Sequence, residues 1–327
     1  MPEIILLVVV LSVLFEISNG WNDSANAIAT VVSTRVLGPL QAVLLAATMN
    51  ILGALFSTAV ARTIGKGIVH PEAVTQQVVV AALVAGFLWN ALMTKRGLPV
   101  SASHALIGSV MGAAVAFGGF DILNLGGLKK IFLALLTSPI FGMFFGYYFM
   151  KLILLFFGRY GPGTVNRVFG RLQIASSALM AFSHGSNDAQ KVMGIITLAL
   201  VSGGFLKVVA VPLWVILMCA VAMGLGTALG GWRVIKTLGF HMLKLEPIHG
   251  FSAETASAAV ILGASAMGMP VSTTHVISTS IMGVGATRRL TAVRWGIAGK
   301  ILMAWVFTLP CCFVLAWIIC EAVLAWF

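Results

Sequence analysis

Apolar runs, each long enough to cross a bilayer, follow one another from about residue 4 to residue 326, and this recurrence restricts the fold more than any other feature. A run of 18 or more apolar residues has no stable place on a water-facing surface, whereas about 20 residues of helix span the hydrocarbon core. Composition agrees: 60% of the 327 residues are hydrophobic and 9% charged, against about 25% charged in soluble domains. The expected fold is therefore an all-α integral membrane protein. Punctuation by Pro, Gly and charge gives about ten transmembrane passes, near 4–36 (interrupted in its middle), 39–61, 73–94, 99–120, 131–157, 171–202 (also interrupted), 208–229, 251–268, 270–287 and 297–326. Residues 230–250 carry Arg233, Lys236 and Lys244 among apolar positions and are expected as an amphipathic interfacial segment. The opening stretch lacks a basic region and a small-residue cleavage site, so it reads as the first span and not as a signal peptide.

A net charge of +11 could suit nucleic acid, but the basic residues lie in short loops between apolar segments, the pattern that orients a membrane protein. Loops after odd-numbered spans hold Arg35, Lys95, Arg96, Arg159, Arg167, Arg171, Arg233, Lys236, Lys244, Arg288, Arg289 and Arg294, and loops after even-numbered spans hold Arg62, Lys66, Lys129, Lys130 and Lys207. Twelve against five places the first set in the cytoplasm and both termini outside, in a multi-pass protein of the plasma membrane. Cys219, Cys311, Cys312 and Cys320 show no metal-ligand spacing.

The chain repeats itself. Asn19-Gly20-Trp21-Asn22-Asp23 is echoed 165 residues later by His184-Gly185-Ser186-Asn187-Asp188, and Gly97-Leu98-Pro99-Val100-Ser101-Ala102-Ser103-His104 returns 171 residues later as Gly268-Met269-Pro270-Val271-Ser272-Thr273-Thr274-His275. The implied units are 1–160 and 161–327 within one membrane domain. With about five passes each, an odd number, the two must face opposite ways. Such inverted-topology repeats, with broken helices or hairpins at the midplane, point to a secondary transporter.

Asp23 and Asp188 are carboxylates set in apolar segments, where an ionisable group costs about 2.5–3.5 kcal/mol and is usually functional. With Asn22, Asn187 and Asn26 they offer hard oxygen ligands for Na⁺, or a titratable group for H⁺. The neighbouring glycines are expected to let the helices unwind there. Each Pro-Val-Ser motif frames a helix start, whose unpaired N–H groups and positive dipole end favour an anion. The hydroxyls of Ser101, Ser103, Ser272, Thr273 and Thr274 follow directly. His104 and His275 either contact substrate, shuttle a proton or hold the helix start. Glu254, alone in a small-residue helix, reads as a cation or proton ligand. Glu16 is either functional or paired with a base, and Lys191 either neutralises Asp188 or attracts an anion.

These motifs resemble the PiT family of inorganic phosphate transporters over essentially the whole chain. The segment Asn19 to Thr30 is similar to the family's N-G-x-x-D-x-A-N-A-x-A-T, and Ser183 to Lys191 to its S-H-G-x-N-D-x-Q-K. The resemblance implies phosphate as substrate, held by Ser101, Ser103, Ser272, Thr273 and Thr274, with Asn22 and Asn187 assigned beside them. It implies a coupling cation, Na⁺ or H⁺, at Asp23 and Asp188 (the Na⁺ candidates), with Asn26 and Glu254 assigned to the same task. It further implies symport by alternating access, no other cofactor, no nucleic-acid partner, the lipid bilayer as surroundings and a homodimer. Asn50 stands where animal relatives carry a first-half glutamate. The alternative within the fold is a permease for sulfate or another tetrahedral oxyanion. An intramembrane hydrolase built on Ser272, His275 and Asp188 is disfavoured because Ser-x-x-His occurs in both halves, and a passive channel would not need the paired carboxylates; no enzyme is expected.

Overall fold

The computed structural model describes residues 2–326. The helices fall into two matching series. The first runs α1 (Pro2–Ser33), α2 (Pro39–Ala54), α3 (Ala59–Gly67), α4 (Gln76–Arg96), α5 (Ala102–Gly118) and α6 (Leu125–Phe157). The second runs α7 (Pro162–Ser202), α8 (Leu213–Leu229), α9 (Trp232–Lys236), α10 (Pro247–Ala266), α11 (Thr273–Arg288) and α12 (Trp295–Trp326). No strand forms among the described residues. By length and hydropathy α1, α4, α6 and α12 suffice to cross a membrane, and the bent pairs α2–α3 (70°) and α8–α9 (63°) add up to two more spans. Large apolar side chains such as Leu136, Ile140, Phe144, Val306 and Phe307 face outward from α6 and α12, as a lipid solvent requires.

The interruptions lie elsewhere than expected. α1 and α7 run unbroken through both Asn-Asp motifs, so their backbone groups stay paired within the helix. The motif glycines serve close packing instead. A Cβ on Gly20 would come within 2.6 Å of the Met223 carbonyl oxygen, and one on Gly185 within 2.1 Å of that of Asn50. Helices with small residues at the contact approach this closely in membranes. The real breaks are the tips of the α4–α5 and α10–α11 hairpins. Gly97 (φ 71°) and Gly268 (φ 66°) take the left-handed conformation that a side chain resists. In both, the next N–H reaches back over the last turn: Leu98 to Met93 O at 3.1 Å, Met269 to Ala264 O at 2.8 Å. Ser101 and Ser272 then cap the returning helices by accepting from the N–H groups of His104 and His275.

Residues 230–250 form α9, an irregular turn and the first turn of α10; Val234, Ile235, Leu238 and Met242 are buried, with α9 and the following turn packed on α1. The change of unit near residue 160 falls in the short connection between α6 and α7. Packing crosses it: α5 lies on α12, α11 on α6, α2 on α7 and α8 on α1. Two apolar clusters form the core. One takes Val8 and Phe15 of α1 with Ala189 to Leu200 of α7, and the other takes Ala25 to Val31 of α1 with Phe169 to Ala181 of α7. Between them both helices are polar, and the hairpin tips point at that gap.

Candidate functional site

The gap is lined by side chains with almost no exposure: Asn22, Asp23, Asn26, His184, Asn187, Asp188, Lys191, Ser103, Thr273 and Thr274 are all buried. Each Asn of the two Asn-Asp pairs ties its helix to a hairpin. Asn22 donates to Asp23 Oδ1 (2.7 Å) and to the Val100 carbonyl (3.2 Å), and accepts from Thr94 (3.0 Å). Asn187 donates to Ser265 Oγ (2.8 Å) and the Met269 carbonyl (3.3 Å), and accepts from Val271 N (3.3 Å). Thr94 and Ser265 stand at equivalent places before the two turns.

The carboxylates meet the second hairpin. Thr274 donates to Asp23 Oδ1 and Thr273 to Asp188 Oδ2, each at 3.1 Å, while Asn26 donates to Thr274 Oγ1 at 3.0 Å. Lys191 Nζ lies 2.6 Å from Asp188 Oδ1 and donates to Ser103 Oγ (2.5 Å) and the Val271 carbonyl (2.8 Å). One cation thus bridges α7 and both hairpin tips. It offsets one of two buried carboxylates, leaving Asp23 uncompensated by any Lys or Arg. Asn26 occupies the place in α1 that Lys191 has in α7, so the halves differ in charge here.

His184 completes the centre, although neither charge nor apolar periodicity marked it as a site residue. The signal that points to it is its spacing, one helical turn before Asp188. Its Nε2 is 3.8 Å from Asp23 Oδ2 and 3.7 Å from Asp188 Oδ2, and its Nδ1 is 2.9 Å from Asn50 Oδ1. Asn50 donates its amide to Thr227 at 2.8 Å, so its oxygen is the acceptor and His184 carries the proton on Nδ1. Nε2 therefore faces the two carboxylates, and the three ligand atoms lie within 4.8 Å of one another. An electron-rich pocket of this kind suits a cation.

The remaining candidates separate by task. Ser101 and Ser272 hold helix starts. The N–H groups of Ala102, Ser103, Thr273 and Thr274, next in line, have no acceptor among the described residues. His104 closes the first tip through Nδ1 to Ser101 Oγ at 2.7 Å. His275 stacks on Trp305, ring centroids 3.8 Å apart, and lies 4.6 Å from His104. The hydrolase arrangement is absent: the His275 ring makes no hydrogen bond to Ser272 or Asp188, and Asp188 is engaged by Lys191 and Thr273. Glu254 lies outside the centre. It accepts from Thr30, Ser176 and Gln173, the last two unflagged by the sequence.

Comparison with known proteins assigns the chain to a family. The model of the Phosphate transporter family matches in two segments, residues 19–160 and 158–316, as a duplicated unit would. A probable low-affinity inorganic phosphate transporter of Bacillus subtilis is 46% identical over 93% of this chain and 92% of its own length. One of Rhizobium meliloti is 45% identical over 92% and 91%. A solved structure of a sodium-dependent phosphate transporter superposes with TM-score 0.92 at 26% identity, over 99% of each chain. These relatives are transporters and not enzymes. The chain is a multi-pass membrane protein that belongs to the phosphate transporter family.

Proposed function

We propose that this phosphate transporter is a symporter that moves inorganic phosphate with Na⁺ by alternating access. One observation carries the reading: the starts of α5 and α11, from opposite halves, converge on two buried Asn-Asp pairs whose charge is only half offset. The free N–H groups at Ser103, Thr273 and Thr274 supply neutral donors for an oxyanion at two helix dipoles, while the Thr273 and Thr274 hydroxyls are held by the carboxylates. Asp23, with Asn26 and His184 beside it, takes the cation. Asp188 and Lys191 hold the second half in register. Ser101, Ser272, Asn22 and Asn187 shape the tips around the anion, and Glu254 supports cation passage from its own pocket. Na⁺ is preferred to H⁺ because the donors are mainly hard oxygens and because the solved relative is a sodium-dependent transporter.

Coupling follows from charge. An anion entering a centre with an uncompensated carboxylate is repelled until a cation arrives, so each ligand raises the affinity of the other. Inverted units offer two equivalent packings, open to one side or the other, around a fixed midplane site. Loop charge orients this machine with both termini outside. Purified protein in liposomes, with Na⁺ and pH gradients imposed separately, tests the reading. An inward Na⁺ gradient is expected to drive accumulation of labelled phosphate. Accumulation driven by a pH gradient without Na⁺ would assign the coupling to protons, and none under either gradient would contradict symport.

A further inference from the structure

α1 carries a polar stripe beyond the central site. Ser12, Glu16, Asn19, Asp23, Asn26 and Thr30 recur at steps of four and three, which places them on one face of the helix. Glu16 and Thr30 stand seven residues to either side of Asp23, about 10 Å along the axis in each direction. On one side Thr30 leads to Glu254, whose carboxylate has three donors, from Thr30, Ser176 and Gln173. On the other side Glu16 has none.

Glu16 is fully buried, yet neither carboxylate oxygen has a hydrogen-bond partner among the described residues. No ion pair reaches it either. The same condition holds for its surroundings. Ser12 Oγ, Asn19 Oδ1, both amide atoms of Asn90 and Ser109 Oγ are buried without partners, in residues with at most 1% exposure. The helix register sets Asn19 and Asn90 at one level and Ser109 beside Gly86 and Phe15. Thr94 of α4 meets Asn22 of α1 at 3.0 Å, and two turns earlier a Cβ on Gly86 would lie 2.7 Å from Phe15 and 3.6 Å from Ser109 Oγ. α4 thus runs parallel to α1, which sets Asn90 level with Asn19 and lines up Ser109 of α5 with the start of the group.

From this geometry we infer a second cation site, in which Glu16 with Ser12, Asn19, Asn90 and Ser109 binds one Na⁺ about two helical turns from Asp23. The donor set is one carboxylate with amide and hydroxyl oxygens, the hard, flexible kind an alkali cation takes. A single proton would relieve one carboxylate oxygen and leave the amide oxygens of Asn19 and Asn90 without a donor or cation. Under the proposed orientation the site lies on the extracellular side of Asp23, so it is a station for ions entering the central pocket.

The inference stands on its own geometry, and its test does not need phosphate. Binding of radiolabelled Na⁺ to purified protein is measured to saturation for wild type, Glu16→Gln, Asn90→Ala and Asp23→Asn. Glu16→Gln is expected to bind one Na⁺ fewer per chain, and Asp23→Asn to retain the Glu16 ion. Asn90→Ala keeps the carboxylate and is expected to raise the half-saturating Na⁺ concentration about tenfold, the worth of one contact to a charged group. Thermal melting with and without Na⁺ reports folding independently: Glu16→Gln should melt at least as high as wild type without Na⁺ and gain less from its addition. Unchanged Na⁺ stoichiometry in Glu16→Gln would overturn the site, as would a Glu16-dependent response to pH with none to Na⁺. Failure of phosphate uptake by wild type would count against symport and leave this result untouched.

Discussion

Lys191 holds Asp188 at 2.6 Å, both in α7 and three residues apart, whereas Asp23 of α1 has Asn26 at the equivalent spacing and no lysine. A duplicated unit has thus been made electrically unequal at its centre. One half carries its own cation. The other carries none at that position.

Removing Lys191 should expose the cost of that arrangement. Breaking one partner of a buried ion pair typically costs about 3–5 kcal/mol. Lys191→Gln is expected to lower the melting temperature clearly, and Lys191→Gln with Asp188→Asn to recover most of it, while neither variant accumulates phosphate. Melting curves in detergent of wild type, Lys191→Gln, Asp188→Asn and the double variant, with uptake assays beside them, check this, and additive losses in the double variant would show that the pair is not coupled.

The hydroxyls of the second hairpin make a finer case. Thr273 and Thr274 each donate to a different carboxylate at 3.1 Å, and a hydrogen bond to a charged group is worth about 1.5–3 kcal/mol. Thr274→Val should therefore raise the Na⁺ requirement for uptake roughly tenfold or more, with Thr274→Ser restoring it. Equal behaviour of Val and Ser would assign Thr274 to packing alone.

Several of these partnerships were readable from sequence and several were not. The two Pro-Val-Ser tips, the paired Asp residues and their convergence follow from the repeat, because inversion brings equivalent segments to one midplane. The motif glycines make close contacts where unwinding is expected, since a Gly in a polar stretch fits a break or a close contact equally well. Only the Met223 and Asn50 carbonyls packed against Gly20 and Gly185 decide between them. Contacts such as Thr30 with Glu254, 224 residues apart, leave no local pattern. His184 lies inside the Ser183 to Lys191 segment, but its partner Asn50 is 134 residues away in sequence and leaves no local pattern.

Those close contacts give a structural prediction. Gly185 meets the Asn50 backbone, where a methyl has no room, and overpacking costs about 1–3 kcal/mol. Gly185→Ala should destabilise the protein and displace Asn50 from His184, while Gly263→Ala, with open space around it, should melt like wild type. Indistinguishable melting of the two variants would contradict the packing described here.

Selectivity follows from what the centre offers an anion. Lys191 is its single ammonium, and the carboxylates of Asp23 and Asp188 are acceptors. Phosphate and arsenate near neutral pH keep a proton to donate, and sulfate does not. Sites that leave buried polar groups unpaired discriminate strongly, so arsenate should compete well with labelled phosphate at fixed Na⁺ and pH, and sulfate poorly. Equal inhibition by both would mean that the site senses only charge and size.

The central claim is that phosphate moves uphill on a cation held at Asp23. Its most direct measurement is accumulation of labelled phosphate in liposomes under an inward Na⁺ gradient, for wild type and for Asp23→Asn matched in melting temperature and reconstitution. Wild type is expected to concentrate phosphate above the outside level, and Asp23→Asn to bring it no higher than equilibrium. Full accumulation by Asp23→Asn would contradict the account.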